Sequence, residues 1–284
     1  MDLYLLWVAF LLGIIEGATE FLPVSSTGHL IIAADFLNFS DKSSEVFEIF
    51  IQLGAILAVI TEYRKRLVST ICDIPHKSEA QKFFIAIGIA FIPAACLGFF
   101  FHALIKEFLF NPITVAVALI VGGVIMIAIE KRMLISIKTS SDHVSFKQAL
   151  LIGLAQCFSL IPGVSRAAAT IMGGVLCGLD RKTATEFSFF LAIPIIIAAS
   201  LYDLIINFHV LDKDDFVVFL VPCSSQWFFE SALVNLTSDM PDNLFLTALP
   251  DMSRHLVSGN SLPNSCCLFV RSWLFVSLHY QFDV

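Results

Sequence analysis

The chain has 284 residues, 57% of them hydrophobic and 14% charged, with a formal net charge of −7. A soluble domain carries about 25% charged residues, so a mean hydropathy of +0.85 excludes an ordinary water-soluble globule and predicts an all-α, polytopic integral membrane protein. No basic stripe suggests nucleic acid. The seven cysteines include no C-x-x-C pair, which excludes a disulfide framework or zinc site and leaves buried apolar thiols as the expectation.

In chain order, the first apolar segment, Leu3 to Ile15, is too short to cross a membrane unaided. Asp2 stands where a signal peptide would be basic, so it is not read as one. Val46 to Tyr63, Phe83 to Phe101, Pro112 to Ile129 and Phe187 to Asn207 approach the roughly 20 apolar residues a crossing needs. Basic residues collect at 64–82 and 131–147, which predicts that these loops lie inside, with 35–45 and 102–111 outside. Arg181 and Lys182 place the turn before the last apolar segment inside as well.

An internal repeat underlies this order. "LLGIIEGATEFLPVSS" (11–26) aligns with "LIGLAQCFSLIPGVSR" (151–166) at an offset of 140, matching Leu11, Gly13, Val24 and Ser25 to Leu151, Gly153, Val164 and Ser165. Glu16 falls on Gln156. The second copy begins after an inside loop and ends before an inside turn, so it dips in and returns. The first copy, ending outside, should enter from the other face. The expectation is an inverted-topology helical bundle with two re-entrant helix-loop-helix segments whose breaks meet. Repeat 1 spans about 3–129 and repeat 2 about 145–222, within a membrane domain 1–222. Residues 223–284 are serine-rich and do not supply the two apolar helices that the duplication requires, which reads as an atypical tail, out of frame or divergent.

The two breaks carry the chemistry. Glu16 and Glu20 are four apart and share a helix face. An ionised residue at membrane depth costs about 2.5–3.5 kcal/mol on insertion scales, and two adjacent carboxylates call for a cation, Mg²⁺ or Ca²⁺, or a proton between them. A single Glu would more simply bond to backbone freed by Pro23; a pair would not. Pro23 ends the helix, and Ser25, Ser26 and Thr27 open another, where one hydroxyl serves as N-cap and the free N–H groups suit phosphate. His29 is placed for proton transfer or nucleophilic attack. Ser165 and Arg166 open a helix after the second break, and arginine suits a bidentate phosphate clamp. Together they suggest metal-assisted phosphoryl transfer. Glu48, Gln52 and Glu186, polar groups within apolar helices, either line the substrate cavity or satisfy a neighbour, the second reading being slightly preferred.

"EGATEFLPVSSTGHL" and "PGVSRAAATI", with "FEIFIQLGAILAV" (47–59), "TEFSFFLAIP" (185–194) and "ASLYDL" (199–204), resemble the bacterial undecaprenyl-diphosphate phosphatases of the bacitracin-resistance type. The resemblance covers about 1–220. It implies a multi-pass inner-membrane enzyme that converts undecaprenyl diphosphate to undecaprenyl phosphate, recycling the peptidoglycan lipid carrier and countering bacitracin. The first copy, entering from outside, leans toward a site open to the periplasmic side, and a homodimer is left open. By the same resemblance, Glu16 and Glu20 hold the metal or move protons, and Ser26 is the nucleophile. His29 is the acid/base or itself the nucleophile, and Ser25, Thr27, Ser165 and Arg166 contact phosphate. The family's Ser-Gly after that arginine is here Ala167-Ala168. The alternatives are a polyprenyl-phosphate transporter or flippase, and a product inactivated by its altered C-terminus.

Overall fold

The computed structural model describes residues 3–20, 23–37, 39, 44–109, 112–133, 143–207, 220–229 and 231. Among them every regular element is helical: α1 (Leu3–Thr19), α2 (Ser26–Phe36), α3 (Ser44–Glu62), α4 (Arg64–Asp73), α5 (Ser78–Leu109), α6 (Pro112–Met133), α7 (Phe146–Gln156), a 3₁₀ turn (Cys157–Leu160), α8 (Arg166–Leu176) and α9 (Arg181–Asn207). A further helical stretch covers 220–229. The repeat-derived membrane boundary at 222 falls inside this stretch, and most of the expected tail lies outside the described residues.

Among the described residues, two helices contain stretches long and apolar enough to cross a membrane, Ser78–Ile105 and Arg181–Tyr202. Only 22% of the most apolar 18-residue window of the first is buried. A soluble protein would hide such a helix in its core, whereas this one turns Phe99, Phe100 and Leu104 outward. Exposed apolar surface on that scale requires lipid. The other two expected spans fall on α3 and α6; Ile113–Ile129 of α6 ranks with the shorter apolar helices.

The predicted basic loop at 64–82 is not a loop. Arg64–Asp73 is helical, and α5 already begins at Ser78. Leu67 packs on the main core while Val68 and Ile71 stay exposed, an amphipathic pattern that suits a helix lying at an interface. The expectation of buried thiols also needs correction. Cys72 and Cys96 are exposed, and Cys157, Cys177 and Cys223 are half-buried. An apolar thiol on a bilayer-facing helix has no need to be inside the protein. Cys266 and Cys267 lie outside the described residues.

The main core joins α5, α7, α8 and α9 through Ala86, Ala90, Ile152, Ala167, Phe187 and Leu191. Gly153 permits the close approach of α7 to α5: a Cβ there would stand 2.5 Å from the Ala90 carbonyl oxygen. Phe83 meets Phe187 and Phe190 edge to face, with centroids 6.2 and 5.2 Å apart, fixing α5 against α9. A smaller cluster sets Ala55, Ile56 and Val59 of α3 against Ala192 and Ile196 of α9.

The second break is built by local rules. Ser145 and Gln148 form a capping box that starts α7. After Gln156 the helix tightens to 3₁₀, and Ile161 turns extended ahead of Pro162, as the proline ring demands. Gly163 takes φ 91°, and Ser165 then caps α8 by accepting from Ala168 N at 3.2 Å. At the far end Gly178, at φ 87°, stops α8. Gln148 Nε2 donates to the Cys177 carbonyl at 3.1 Å, so the start of α7 and the end of α8 meet.

Candidate active site

Glu16 and Glu20 hang from the last turn of α1, whose hydrogen bonding continues to Glu20 N, 2.8 Å from the Glu16 carbonyl. Glu16 is 1% exposed. The Glu20 and Arg166 side chains are 11% exposed each, and Arg166 Nη2 donates to Glu20 Oε1 at 2.8 Å. Arginine here could have snorkelled to the surface; instead the first residue of α8 reaches the end of α1. Ser26, the first residue of α2 and 8% exposed, donates its hydroxyl to Glu20 Oε2 at 2.5 Å. One carboxylate therefore holds a hydroxyl on one oxygen and a guanidinium on the other.

His29 lies one turn along α2, half-buried, with Nδ1 2.9 Å from the Ser25 carbonyl oxygen. Ser25 is buried and takes a left-handed backbone, φ 65°. Thr27 is half-buried on the same first turn. Ser165 Oγ accepts from Ala168 N, the N-cap role that a hydroxyl at a helix start normally fills. Ala167, where the resembling family has serine, packs in the main core.

The sequence reading missed a buried pair behind Arg166. Thr170 Oγ1 donates to the Arg166 carbonyl at 2.9 Å, and its oxygen lies 2.5 Å from Ser188 Oγ. A hydroxyl has one proton, so Ser188 is the donor between them. Both are 1% exposed, and they pin the start of α8 to α9. The available signal was Ser188, a hydroxyl inside the apolar run "FSFFLAIP". Glu186 is not at the site: it accepts from Arg66 at 2.7 Å. Gln52 is half-buried, and the Glu48 side chain lies outside the described residues. A cleft of about 310 Å³ lined by Arg66, Glu79, Lys82, His143 and Glu186 includes none of the site residues.

For a cation, the donor set is two carboxylates. Among the described residues no group of three or more His, Cys, Asp or Glu stands close enough to hold one. Mg²⁺, which keeps waters and commonly takes one or two carboxylates together with substrate phosphates, fits this pair.

The family described as bacitracin resistance protein BacA matches residues 9–241. The chain belongs to that family. Undecaprenyl-diphosphatase of Nitrosospira multiformis is 52% identical over 221 residues, which is 78% of this chain and 81% of that protein. The undecaprenyl-diphosphatase of Methylobacillus flagellatus is 51% identical over 226 residues, covering 78% and 84%. That of Pseudomonas fluorescens is 50% identical over 221 residues, covering 78% and 80%. The BacA match thus runs from Ala9, within α1, through α9 and takes in both breaks.

Proposed function

We propose that this BacA-family chain dephosphorylates undecaprenyl diphosphate to undecaprenyl phosphate at the Glu20–Ser26–Arg166 centre. The observation that carries the reading is the hydroxyl of Ser26 held on Glu20 Oε2 at 2.5 Å, the arrangement of a nucleophile with its base. Glu20 takes the Ser26 proton as Oγ bonds to the terminal phosphorus. The anhydride P–O bond breaks, and its electron pair leaves on the bridging oxygen of undecaprenyl phosphate. Water then attacks the phosphoserine and gives its proton to His29. The Oγ–P bond breaks, Oγ recovers the proton from Glu20, and inorganic phosphate departs. A guanidinium has five donors, enough for Arg166 to hold Glu20 and a phosphate oxygen at once. Ser25 and Thr27 face the same phosphate from the start of α2, and Ser165 from the start of α8.

Glu16 and Glu20 would hold Mg²⁺ in company with the diphosphate, Ca²⁺ being the less suited ion. When bound, it would neutralise charge gathering on the phosphate oxygens. The membrane-embedded substrate is a lipid, so its headgroup must reach a site at membrane depth. Matched positions support an inverted-topology repeat. α2 and α8 begin 140 residues apart and are 11 residues each. Ile56 and Ile196, also 140 apart, share one cluster, as residues beside a two-fold axis do. The Gln148–Cys177 contact supports a re-entrant second copy, since α7 at about 1.5 Å per residue falls short of a bilayer. The positive-inside reading puts the first break on the outside, hence a site open to the periplasm across the inner membrane. We further propose that the membrane unit extends through 229, with an atypical tail beyond, and that a homodimer is compatible with this arrangement.

Purified protein given a polyprenyl diphosphate and Mg²⁺ should release phosphate, and acid-quenched turnover should leave phosphoserine at Ser26 detectable by mass spectrometry. Release that survives Ser26→Ala would remove Ser26 from the role. Lipid movement between leaflets without release would favour the transporter reading.

A further inference from the structure

The two breaks differ in backbone at matched positions. Ser165 has φ −63° and ψ 125°, an ordinary N-cap geometry, and its carbonyl accepts from Ala169 N at 3.0 Å. Ser25, 140 residues earlier, stands at φ 65°, a region that an L residue other than glycine adopts only where its surroundings impose it. The second copy takes its positive φ at Gly163, two positions before Ser165, so only in the first copy is the left-handed residue the one whose carbonyl faces the following helix's imidazole. What the first copy has in addition is an imidazole: the residue matched to His29 is Ala169. His29 Nδ1 lies 2.9 Å from the Ser25 carbonyl oxygen. A carbonyl oxygen only accepts, so Nδ1 carries the proton, and a neutral ring then keeps its lone pair on Nε2.

We propose that Ser25 is a positioning residue acting through its main chain: its left-handed turn aims the carbonyl at His29 Nδ1 and holds the ring in the tautomer whose Nε2 accepts the proton of the attacking water. The burial of Ser25, at 5% exposure, shields this hydrogen bond from competing solvent. Once Nε2 is protonated, the imidazolium still donates from Nδ1 to the same oxygen, so the ring keeps its orientation through the step. The use of Nε2 rests on the phosphatase reading; the tautomer does not.

The test is ring-¹⁵N histidine spectroscopy of the full chain in nanodiscs, with His29→Gln identifying the His29 signals. The expected spectrum of the neutral ring has His29 protonated at Nδ1 and bare at Nε2. A majority Nε2–H tautomer overturns the proposal, whether or not the protein releases phosphate. Two variants extend the test. Ser25→Gly accepts positive φ at no steric cost and should keep the tautomer, although loss of the hydroxyl raises KM. Ser25→Val, β-branched and excluded from that region, should lose the tautomer preference, with kcat about 10²-fold below that of Ser25→Gly. If Ser25→Val misfolds, the wild-type and Ser25→Gly spectra still decide. Equal kcat and equal spectra in two folded variants would refute a role for the turn.

Discussion

Arg166 and Glu20, 146 residues apart in the chain, meet at 2.8 Å with both side chains almost wholly out of solvent. The pair joins the start of α8 to the end of α1. It also makes the site's most expensive group to orphan, because a buried charge stripped of its partner costs about 3–5 kcal/mol.

Glu20→Gln and Arg166→Ala should therefore each lower thermal stability in detergent and each reduce phosphate release by at least about 10²-fold. The double variant Glu20→Gln/Arg166→Ala leaves no lone charge. It should recover part of the melting temperature of the single variants and none of their activity. Stability losses that simply add would show that the two groups do not depend on each other in the folded chain.

Helix packing gives a cleaner structural prediction. Gly153→Ala drives a methyl into the α5 backbone, 2.5 Å from the Ala90 carbonyl oxygen and 2.8 Å from its Cα. Backbone cannot step aside as a side chain can, so the substitution should cost about 1–3 kcal/mol. Gly122 has nothing within 4 Å of its virtual Cβ, and Gly122→Ala should be neutral or add up to about 1 kcal/mol from helix propensity. Melting of the two variants side by side checks the claim, and equal losses would defeat it.

Much of the site was legible because its groups sit at element boundaries that sequence marks strongly. Pro23 and Pro162 announce the breaks, and the polar residues beside them have no reason to be at membrane depth unless used. The all-helical class follows from hydropathy alone. Other features were not legible, for physical reasons. The left-handed Ser25 leaves no trace in residue type, since glycine or asparagine would have signalled it and serine does not. The Thr170–Ser188 bond depends on which face of α9 meets α8, which periodicity cannot fix in a helix apolar all round. The helix at 64–73 was hidden by its own charge: a basic run reads as a loop until its apolar positions are placed on one side.

The stretch at 220–229 lies in a sequence region that lacks membrane character, yet it is docked. Ser225 Oγ donates to the Phe10 carbonyl at 3.3 Å and Trp227 Nε1 to Thr61 Oγ1 at 3.2 Å. The Gln226 side chain is wholly buried, its amide set against the Ile51 carbonyl and Ala55 N of α3. Gly13, Gly17 and Gly54 leave the room it occupies. A chain ending at residue 231 should extract folded and monodisperse. One ending at 219 exposes that glycine-lined groove beside Glu16 and should aggregate or melt lower. Indistinguishable behaviour of the two truncations would make the docked stretch dispensable.

A last prediction concerns pH and a group outside the crossing segments. Burial on its own raises the Asp180 carboxyl, but hydrogen bonds from Thr183 outweigh it and hold the carboxyl below its ordinary value of 3.8. Thr183 N donates to Oδ1 at 3.0 Å and Thr183 Oγ1 to Oδ2 at 2.7 Å, so the ionised side chain caps α9. A carboxylate whose folded pKa is depressed stabilises the fold fully above the unfolded pKa and loses that contribution as pH falls through the folded one. Asp180→Ala should thus cost about 0.5–2 kcal/mol near neutrality, the usual worth of an N-cap. The gap in melting temperature between wild type and variant should shrink as the buffer moves from about pH 7 to about pH 3. A gap that stays constant across that window would mean the cap acts through packing and hydroxyl geometry rather than through its charge.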